Sequence, residues 1–241
     1  MKLTLKTENL EIKIKQFLHL FLWILLIFLT TSQSKKPFDT QKIRKGFEKL
    51  VDIQTLDSSI RVDLKYATTD NFMKKRLYFD IDKAYLQKVI AQRFVKCNTY
   101  LKKLHPNYRL LVYDAARPRS IQQAMWDALD SIPVKERTKF VSNPANGSVH
   151  NYAAAVDLTI CDKYGNVLDM GAGYDDIRLI AYPSKEVYYL KKGLLTKKQV
   201  ENRKLLRKVM TSQGFINIPT EWWHFNGVTR KQAKVQFAIL E

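Results

Sequence analysis

The sequence predicts an α+β fold in which a mostly antiparallel central sheet is flanked by helices. Segments with helical spacing of apolar residues and segments with strand-like alternation both occur, but they do not follow one another in a regular βαβ order. Hydrophobic residues make up 46% of the 241 residues and aromatic residues 12%, which is too much apolar content for a disordered chain. The length therefore fits one domain with a full core, or two small ones.

Short segments with alternating or β-rich sequences are predicted as strands. Ile60–Leu64 alternates apolar and polar residues, while Tyr108–Tyr113 and Val156–Cys161 are rich in residues that favour strands. Three further segments near the C-terminus are predicted as strands, the last of them at an edge of the sheet: 215–218, 221–225 and 235–240.

Helices are predicted where apolar spacing coincides with a capping residue. Asp82 is placed as the N-cap of a long helix, whose apolar residues recur at helical spacing up to Pro106. Ser120 is placed as the cap of a helix over 121–130. Thr196 and Gln199 form a capping-box pattern, which opens a helix that ends at Gly214.

The N-terminal residues 1–34 differ from the rest of the chain. A basic start, the 13-residue apolar run Phe17–Leu29 and small polar residues follow one another, an order typical of a secretory signal. No clear A-x-A cleavage site follows, so an uncleaved anchor stays open, as does a buried core helix. We expect a signal peptide or anchor over 1–34 and one domain over 35–241, with membrane contact only through an uncleaved N-terminal segment.

The net charge is +18, but the lysines are spread along the whole chain, which predicts a solvated basic surface rather than one binding patch. We expect no nucleic-acid partner, because an exported protein does not normally meet nucleic acid. Cys97 and Cys161 are the only cysteines, and the sequence allows either a disulfide or two buried thiols.

Two stretches carry the residues that point to a reaction. One runs from Ser148 through His150 to Asp157, and the other contains Glu221 and His224. Two histidines and one aspartate are a ligand set that suits a catalytic zinc ion with one open position. Glu221 would then be the carboxylate that does not bind the metal, which such a site needs as a general base.

The spacing of these residues restricts the backbone. His150 and Asp157 are seven residues apart, so in one straight strand they would face opposite sides of the sheet. We therefore expect His150 in the loop before the strand that holds Asp157. Glu221 and His224 are three residues apart and raise the same problem, which a bulge or turn near Pro219 would resolve.

Together, the two stretches resemble the zinc peptidases that act on bacterial cell-wall D-alanine peptides, which share a small α+β fold with hedgehog-type signalling domains. Within that group the chain is most similar to the D-alanyl-D-alanine dipeptidases of the vancomycin-resistance type. The similarity covers roughly residues 50–230 and includes three further motifs: Asp63–Phe72, Tyr113–Pro118 and Met170–Asp175.

The resemblance implies a metal site and a base. His150, Asp157 and His224 would bind one zinc ion per subunit. Glu221 would take the proton of the metal-bound water and pass it to the leaving amine.

The resemblance also implies groups that contact the substrate. Arg117, oriented by Asp114, would stabilise the oxyanion that develops on the scissile carbonyl. Ser148 would contact the substrate carboxylate, and Tyr66 and Asp175 would hold the free ammonium group.

The implied activity is hydrolysis of D-Ala-D-Ala or a related short cell-wall dipeptide, in the periplasm or cell envelope of a bacterium, with peptidoglycan as a further partner. Two alternatives stay open: a D,D- or L,D-carboxypeptidase acting on longer wall peptides, and a non-catalytic zinc-bearing module that binds the wall. One departure is visible, since Ala153 stands where the family commonly has glycine. The loop there must avoid a positive φ or accept some strain.

Overall fold

The computed structural model describes residues 45–138 and 140–241, so the predicted signal or anchor over 1–34 lies outside the described residues. Within these two ranges, no helix is long and apolar enough to span a bilayer. The strands of the described residues are β1 (Val51–Asp52), β2 (Arg61–Val62), β3 (Tyr85–Leu86), β4 (Tyr108–Asp114), β5 (Ala155–Asp162), β6 (Ile216–Asn217) and β7 (His224–Asn226).

The described residues include the α-helices α1 (Ile53–Leu56), α2 (Lys88–Leu104), α3 (Arg119–Asp127), α4 (Val134–Arg137), α5 (Glu186–Lys191), α6 (Lys197–Thr211) and α7 (Arg230–Gln236). Short 3-10 turns are formed by Lys65–Ala67, Val149–Tyr152, Leu179–Ala181 and Pro183–Lys185.

The central sheet has five strands in the order β2-β4-β5-β7-β6. The pair β2–β4 is parallel, whereas β4–β5, β5–β7 and β6–β7 are antiparallel, which confirms the predicted α+β class with a mostly antiparallel sheet. The two long strands, β4 and β5, are buried along nearly their whole length because helices pack against the sheet. A separate two-stranded sheet is formed by β1 and β3.

Helix α2 packs against β4 and α6 and buries the apolar stripe that contains Ile90, Phe94 and Leu101. Cys97 lies on the same stripe, and burial raises the pKa of its thiol to about 12. Cys161 lies on β5, and both thiols are buried and free.

The predicted start of the long helix was wrong. Asp82 lies in a loop, and α2 begins six residues later at Lys88 with Gln87 as its N-cap. The intervening Tyr85 and Leu86 pair with β1 instead, and this contact between distant segments outweighs the local helical spacing. Similarly, Ser120 does not cap α3, because Pro118 occupies the N-cap position.

The predicted edge strand over 235–240 was also wrong. Helix α7 covers the start of this segment and begins with a capping box between Thr229 and Gln232. After the helix, the Leu240 backbone donates a hydrogen bond to the Asn151 carbonyl at 2.7 Å, which fastens the C-terminal segment to the loop that carries His150. By contrast, the capping box at the start of α6 is confirmed.

Candidate metal centre

The loop before β5 and the pairing of β5 with β7 bring His150, Asp157 and His224 together. His150 lies in the 3-10 turn Val149–Tyr152, as expected, while Asp157 and His224 are direct partners in the β5–β7 ladder. The three side chains are buried, and Nε2 of His150, Nδ1 of His224 and Oδ1 of Asp157 lie 2.9–3.3 Å from one another.

Hydrogen bonds on the far side of each ring direct a lone pair toward this cluster. The Nδ1–H of His150 donates to the Ala115 carbonyl at 2.7 Å, and the Nε2–H of His224 donates to Oδ1 of Asn226 at 2.9 Å. When both rings are neutral, three acceptor atoms therefore face one another, an arrangement that a cation satisfies. A tetrahedral zinc ion with bonds of about 2.1 Å spaces its ligand atoms by about 3.4 Å, so the observed separations fit a metal site.

The environment of His224 favours its charged form in the metal-free protein. Burial lowers the pKa of His224, but the hydrogen bond and the negative charge of Asp157 outweigh burial, and the pKa rises to about 8. His150 and His224 hold the pKa of Asp157 well below its usual range, although burial acts to raise it. The carboxylate is thus ionised and available as a ligand.

Arg117 and Asp114 form a buried ion pair beside the candidate metal ligands. Asp114 ends β4, and its Oδ2 accepts hydrogen bonds from Nε and Nη2 of Arg117 at 2.8 and 2.5 Å. The other oxygen of Asp114 accepts the Tyr78 hydroxyl at 2.6 Å. Nη1 of Arg117 donates to Gln122 at 2.9 Å, and Nη2 also lies 3.5 Å from Oδ2 of Asp157, so three side chains hold the guanidinium. Tyr78 and Gln122 were not identified from the sequence.

Glu221 faces the same cavity from the turn before β7. Its Oε2 lies 3.9 Å from Nδ1 of His224, and the side chain keeps 34% of its surface exposed. Because Glu221 precedes the strand rather than lying in it, its three-residue separation from His224 does not place the two side chains on opposite faces of the sheet. Desolvation in the cavity raises the pKa of Glu221, which makes it a stronger base than an exposed glutamate.

Tyr66, Asp175 and Ser148 line the cavity of about 150 Å³ together with His150, Asp157 and His224. The Tyr66 hydroxyl donates to Oδ2 of Asp175 at 3.0 Å. Burial, and after it the negative charge of Asp157, raises the pKa of Asp175 well above its usual range. The Ser148 hydroxyl caps the turn that carries His150 by accepting its backbone N–H at 3.4 Å.

Tyr174 is a site residue whose contact the sequence did not predict, although it lies in the Met170–Asp175 motif. Its hydroxyl donates to Oδ2 of Asp157 at 3.2 Å, and this leaves Oδ1 of the same carboxylate facing the two histidines. The available sequence signal was that Tyr174 lies next to Asp175, a predicted site residue. This proximity does not show that the Tyr174 hydroxyl contacts Asp157.

Ala153 takes the strained alternative that the sequence left open. It adopts φ 51° and ψ 38°, in the left-handed region that glycine enters without strain. Its backbone N–H donates to the His150 carbonyl at 3.0 Å, so the turn that carries His150 closes with alanine in this position.

Comparison with known proteins matches residues 47–239 to the family model described as D-ala-D-ala dipeptidase. A D-alanyl-D-alanine dipeptidase of Escherichia coli is 32% identical over 176 residues, covering 73% of this chain and 83% of that protein. One of Enterococcus faecalis is 29% identical, covering 69% and 85%. A solved structure of the LdcB LD-carboxypeptidase is similar with 18% identity and a TM-score of 0.43, over 78% of this chain and 72% of that one, which is too distant to support a conclusion. The chain therefore belongs to the D-Ala-D-Ala dipeptidase family and is a peptidase with a possible metal-binding triad.

Proposed function

We propose that this protein is a zinc-dependent dipeptidase that hydrolyses D-Ala-D-Ala or a closely related cell-wall dipeptide. The observation that carries the proposal is the convergence of three metal-ligand atoms with a free carboxylate in one cavity, at His150, Asp157, His224 and Glu221. Relatives named D-alanyl-D-alanine dipeptidase support the substrate class. Two nitrogen ligands and one oxygen ligand suit zinc at a catalytic site.

The side chains around the metal site divide the reaction between them. When bound by its three ligands, zinc would lower the pKa of a water molecule and polarise the scissile carbonyl. Glu221 accepts a proton from the attacking water and delivers it to the leaving amine. Arg117, held in place by Asp114, stabilises the negative charge that develops on the carbonyl oxygen.

The polarity of the cavity favours a short substrate with a free N-terminus. Carboxyl, hydroxyl and guanidinium groups line it together with the candidate metal ligands. Asp175 and the Tyr66 hydroxyl would hold the substrate ammonium, since a cation beside the buried Asp175 offsets the free-energy cost of ionising it. Ser148, on the same cavity wall, would contact the substrate carboxylate.

Hydrolysis assays on matched peptides test this function. Purified protein is incubated with zinc or a chelator and with D-Ala-D-Ala, its N-acetyl derivative, D-Ala-L-Ala and a wall pentapeptide that ends in D-Ala-D-Ala. We expect cleavage of the free dipeptide, loss of activity on chelation, and little cleavage of the N-acetyl form. Preference for the pentapeptide would indicate a carboxypeptidase, and binding without turnover would indicate a non-catalytic module.

The role of Glu221 is tested by Glu221→Gln, with the exposed Glu201→Gln as a matched control. Loss of the general base should lower kcat by about 10²–10⁴ while zinc stays bound. Full activity of Glu221→Gln would remove the proposed base, and Glu201→Gln should behave like the unaltered protein.

We further propose export to the periplasm or cell envelope, on the strength of the apolar run Phe17–Leu29. Fractionation of cells that produce the full chain tests this, with N-terminal sequencing to show whether residues 1–34 are removed. Recovery of the full-length protein in the cytoplasmic fraction would contradict export.

A further inference from the structure

The loop that carries Tyr174 and Asp175 is fastened at both ends by one buried side chain of helix α6. Nε of Arg203 donates to the Met170 carbonyl at 2.6 Å, and Nη1 donates to the Ile180 carbonyl at 3.0 Å. These two carbonyls are ten residues apart in sequence. Arg203 therefore sets the distance between the ends of the segment 170–180, which we call the 170–180 loop.

Neighbouring residues of α6 strengthen the first of these attachments. Asn202 donates to the backbone carbonyl of Asp169 at 2.8 Å, and Gln199 donates to the Asp169 carboxylate, also at 2.8 Å. Gly171 passes so close to the start of α6 that a Cβ there would lie 2.8 Å from Oε1 of Gln199 and 2.3 Å from Cδ2 of Leu195, just before the helix. These contacts fix the beginning of the 170–180 loop in one position against α6.

The charge of Arg203 is buried and has only a long ion-pair contact. It is 1% exposed, and Glu186 lies 3.7 Å from its Nη1. Glu186 makes a closer pair with Arg207, with contacts of 2.8 and 2.5 Å. Since a buried arginine pays a desolvation penalty that an apolar side chain of similar volume avoids, its specific contribution is the pair of bonds to the 170–180 loop.

The middle of the 170–180 loop reaches the metal site at two points. The Tyr174 hydroxyl donates to Asp157 at 3.2 Å, and its ring packs against those of Tyr113 and Trp223, with centroids 5.0 and 5.6 Å away. The next residue, Asp175, has φ 58° and accepts the Tyr66 hydroxyl at 3.0 Å. A shift of the loop would therefore move a hydrogen bond to a metal ligand and a cavity carboxyl at the same time.

We propose that Arg203 is a positioning residue of this site, which acts through the 170–180 loop to keep Tyr174 on the metal ligand Asp157 and Asp175 beside Tyr66. The effect on Asp175 rests on the proposed dipeptidase function. The effect on Tyr174 does not, because it requires only that the triad binds a metal ion.

A variant series separates positioning from general stability. Arg203→Met removes the loop bonds, and Arg207→Met is the matched control, because Arg207 also pairs with Glu186 but has no hydrogen bond to the loop. Tyr174→Phe removes only the hydroxyl. For each protein, the zinc dissociation constant is measured by competition with a chelator, together with the thermal midpoint and with kcat and KM for D-Ala-D-Ala.

We expect Arg203→Met and Tyr174→Phe each to weaken zinc binding by about tenfold, the usual size of an effect transmitted through a ligand's hydrogen-bond partner. Arg203→Met should also raise KM for the dipeptide, whereas Arg207→Met should leave both quantities within about twofold. The Arg203→Met/Tyr174→Phe double variant should bind zinc no more weakly than either single variant, because both act through the same contact.

Additive losses of zinc affinity in the double variant, or an Arg203→Met protein that differs from Arg207→Met by less than about twofold, would overturn the proposal. If Arg203→Met does not fold, Arg203→Lys replaces it in the same cycle, since lysine keeps the charge but not the two-pronged geometry. If the unaltered protein does not cleave D-Ala-D-Ala, the proposed function fails, and the zinc measurements still decide whether Arg203 positions the loop.

Discussion

Replacing Asp114 with asparagine removes the nearer of the two counter-charges of a buried guanidinium, that of Arg117. Asp114 is 0% exposed, and its Oδ2 accepts two hydrogen bonds from Arg117, which is itself only 7% exposed. Charge-assisted hydrogen bonds contribute about 1.5–3 kcal/mol each. Breaking a buried ion pair by changing one partner costs about 3–5 kcal/mol when the other charge loses its close partner, and Arg117 would keep only the longer contact to Asp157 at 3.5 Å. We therefore expect Asp114→Asn to lower the free energy of unfolding by about 3–5 kcal/mol.

Urea titration of the metal-free protein measures this loss, and a thermal scan should show the midpoint falling by roughly 6–20 °C for a domain of this size. The double variant Asp114→Asn/Arg117→Gln should be more stable than Asp114→Asn, since it also removes a buried charge that keeps only the longer contact to Asp157. Asp63→Asn is the control: Asp63 pairs with Lys65 but is 45% exposed, so its loss should stay below about 1 kcal/mol. A loss under about 1 kcal/mol in Asp114→Asn, or a double variant less stable than the single one, would refute the reasoning.

Three further predictions concern the metal site and its loops. The pKa of His224 is about 8, so below pH 8 a proton competes with zinc for the ligand nitrogen. Zinc affinity, measured by chelator competition, should therefore fall by about tenfold per pH unit from about pH 8 towards pH 6. An affinity that stays constant over this range would contradict the assignment of His224 as a ligand. Gly171→Ala should lower the free energy of unfolding, measured by urea titration, by about 2–4 kcal/mol, because φ at this residue is +73° and the new Cβ would meet Leu195 and Gln199. An unchanged midpoint would mean that the 170–180 loop can move away from α6. Ala153→Gly should change the free energy of unfolding by less than about 1 kcal/mol, because relief of the strained left-handed conformation is offset by the loss of a buried methyl group. A gain of about 2 kcal/mol or more in the same titration would show that the strain at alanine is not compensated.

Local signals in the chain were sufficient for the elements whose stability comes from neighbouring residues. The capping box of Thr196 and Gln199 forms as predicted, because both hydrogen bonds join residues three apart. Strands β4 and β5 were recognised because they are buried along nearly their whole length and therefore read as apolar runs.

Elements that depend on distant partners were predicted less well. The helix predicted from Asp82 begins later because Tyr85 and Leu86 find strand partners at Val51 and Asp52, more than thirty residues earlier. A window of sequence contains no information about such a partner. The segment 235–240 was assigned from its β-rich composition, although a capping box at Thr229 and Gln232 was present just before it and opens α7.

For the site, residue types and motif spacing were enough to place the chain in its family and to name His150, Asp157 and His224, which the fold brings together as a candidate metal-binding triad; the role of Glu221 stays a prediction. The geometry around them came from strand register and loop path. Asp157 lies beside His224 because β5 and β7 pair in one particular register. Tyr174 donates a hydrogen bond to Asp157, and Arg203 donates to the 170–180 loop; these bonds join residues 17 to 33 positions apart in sequence. Such contacts depend on where each segment packs in the folded chain, and sequence spacing does not encode that position.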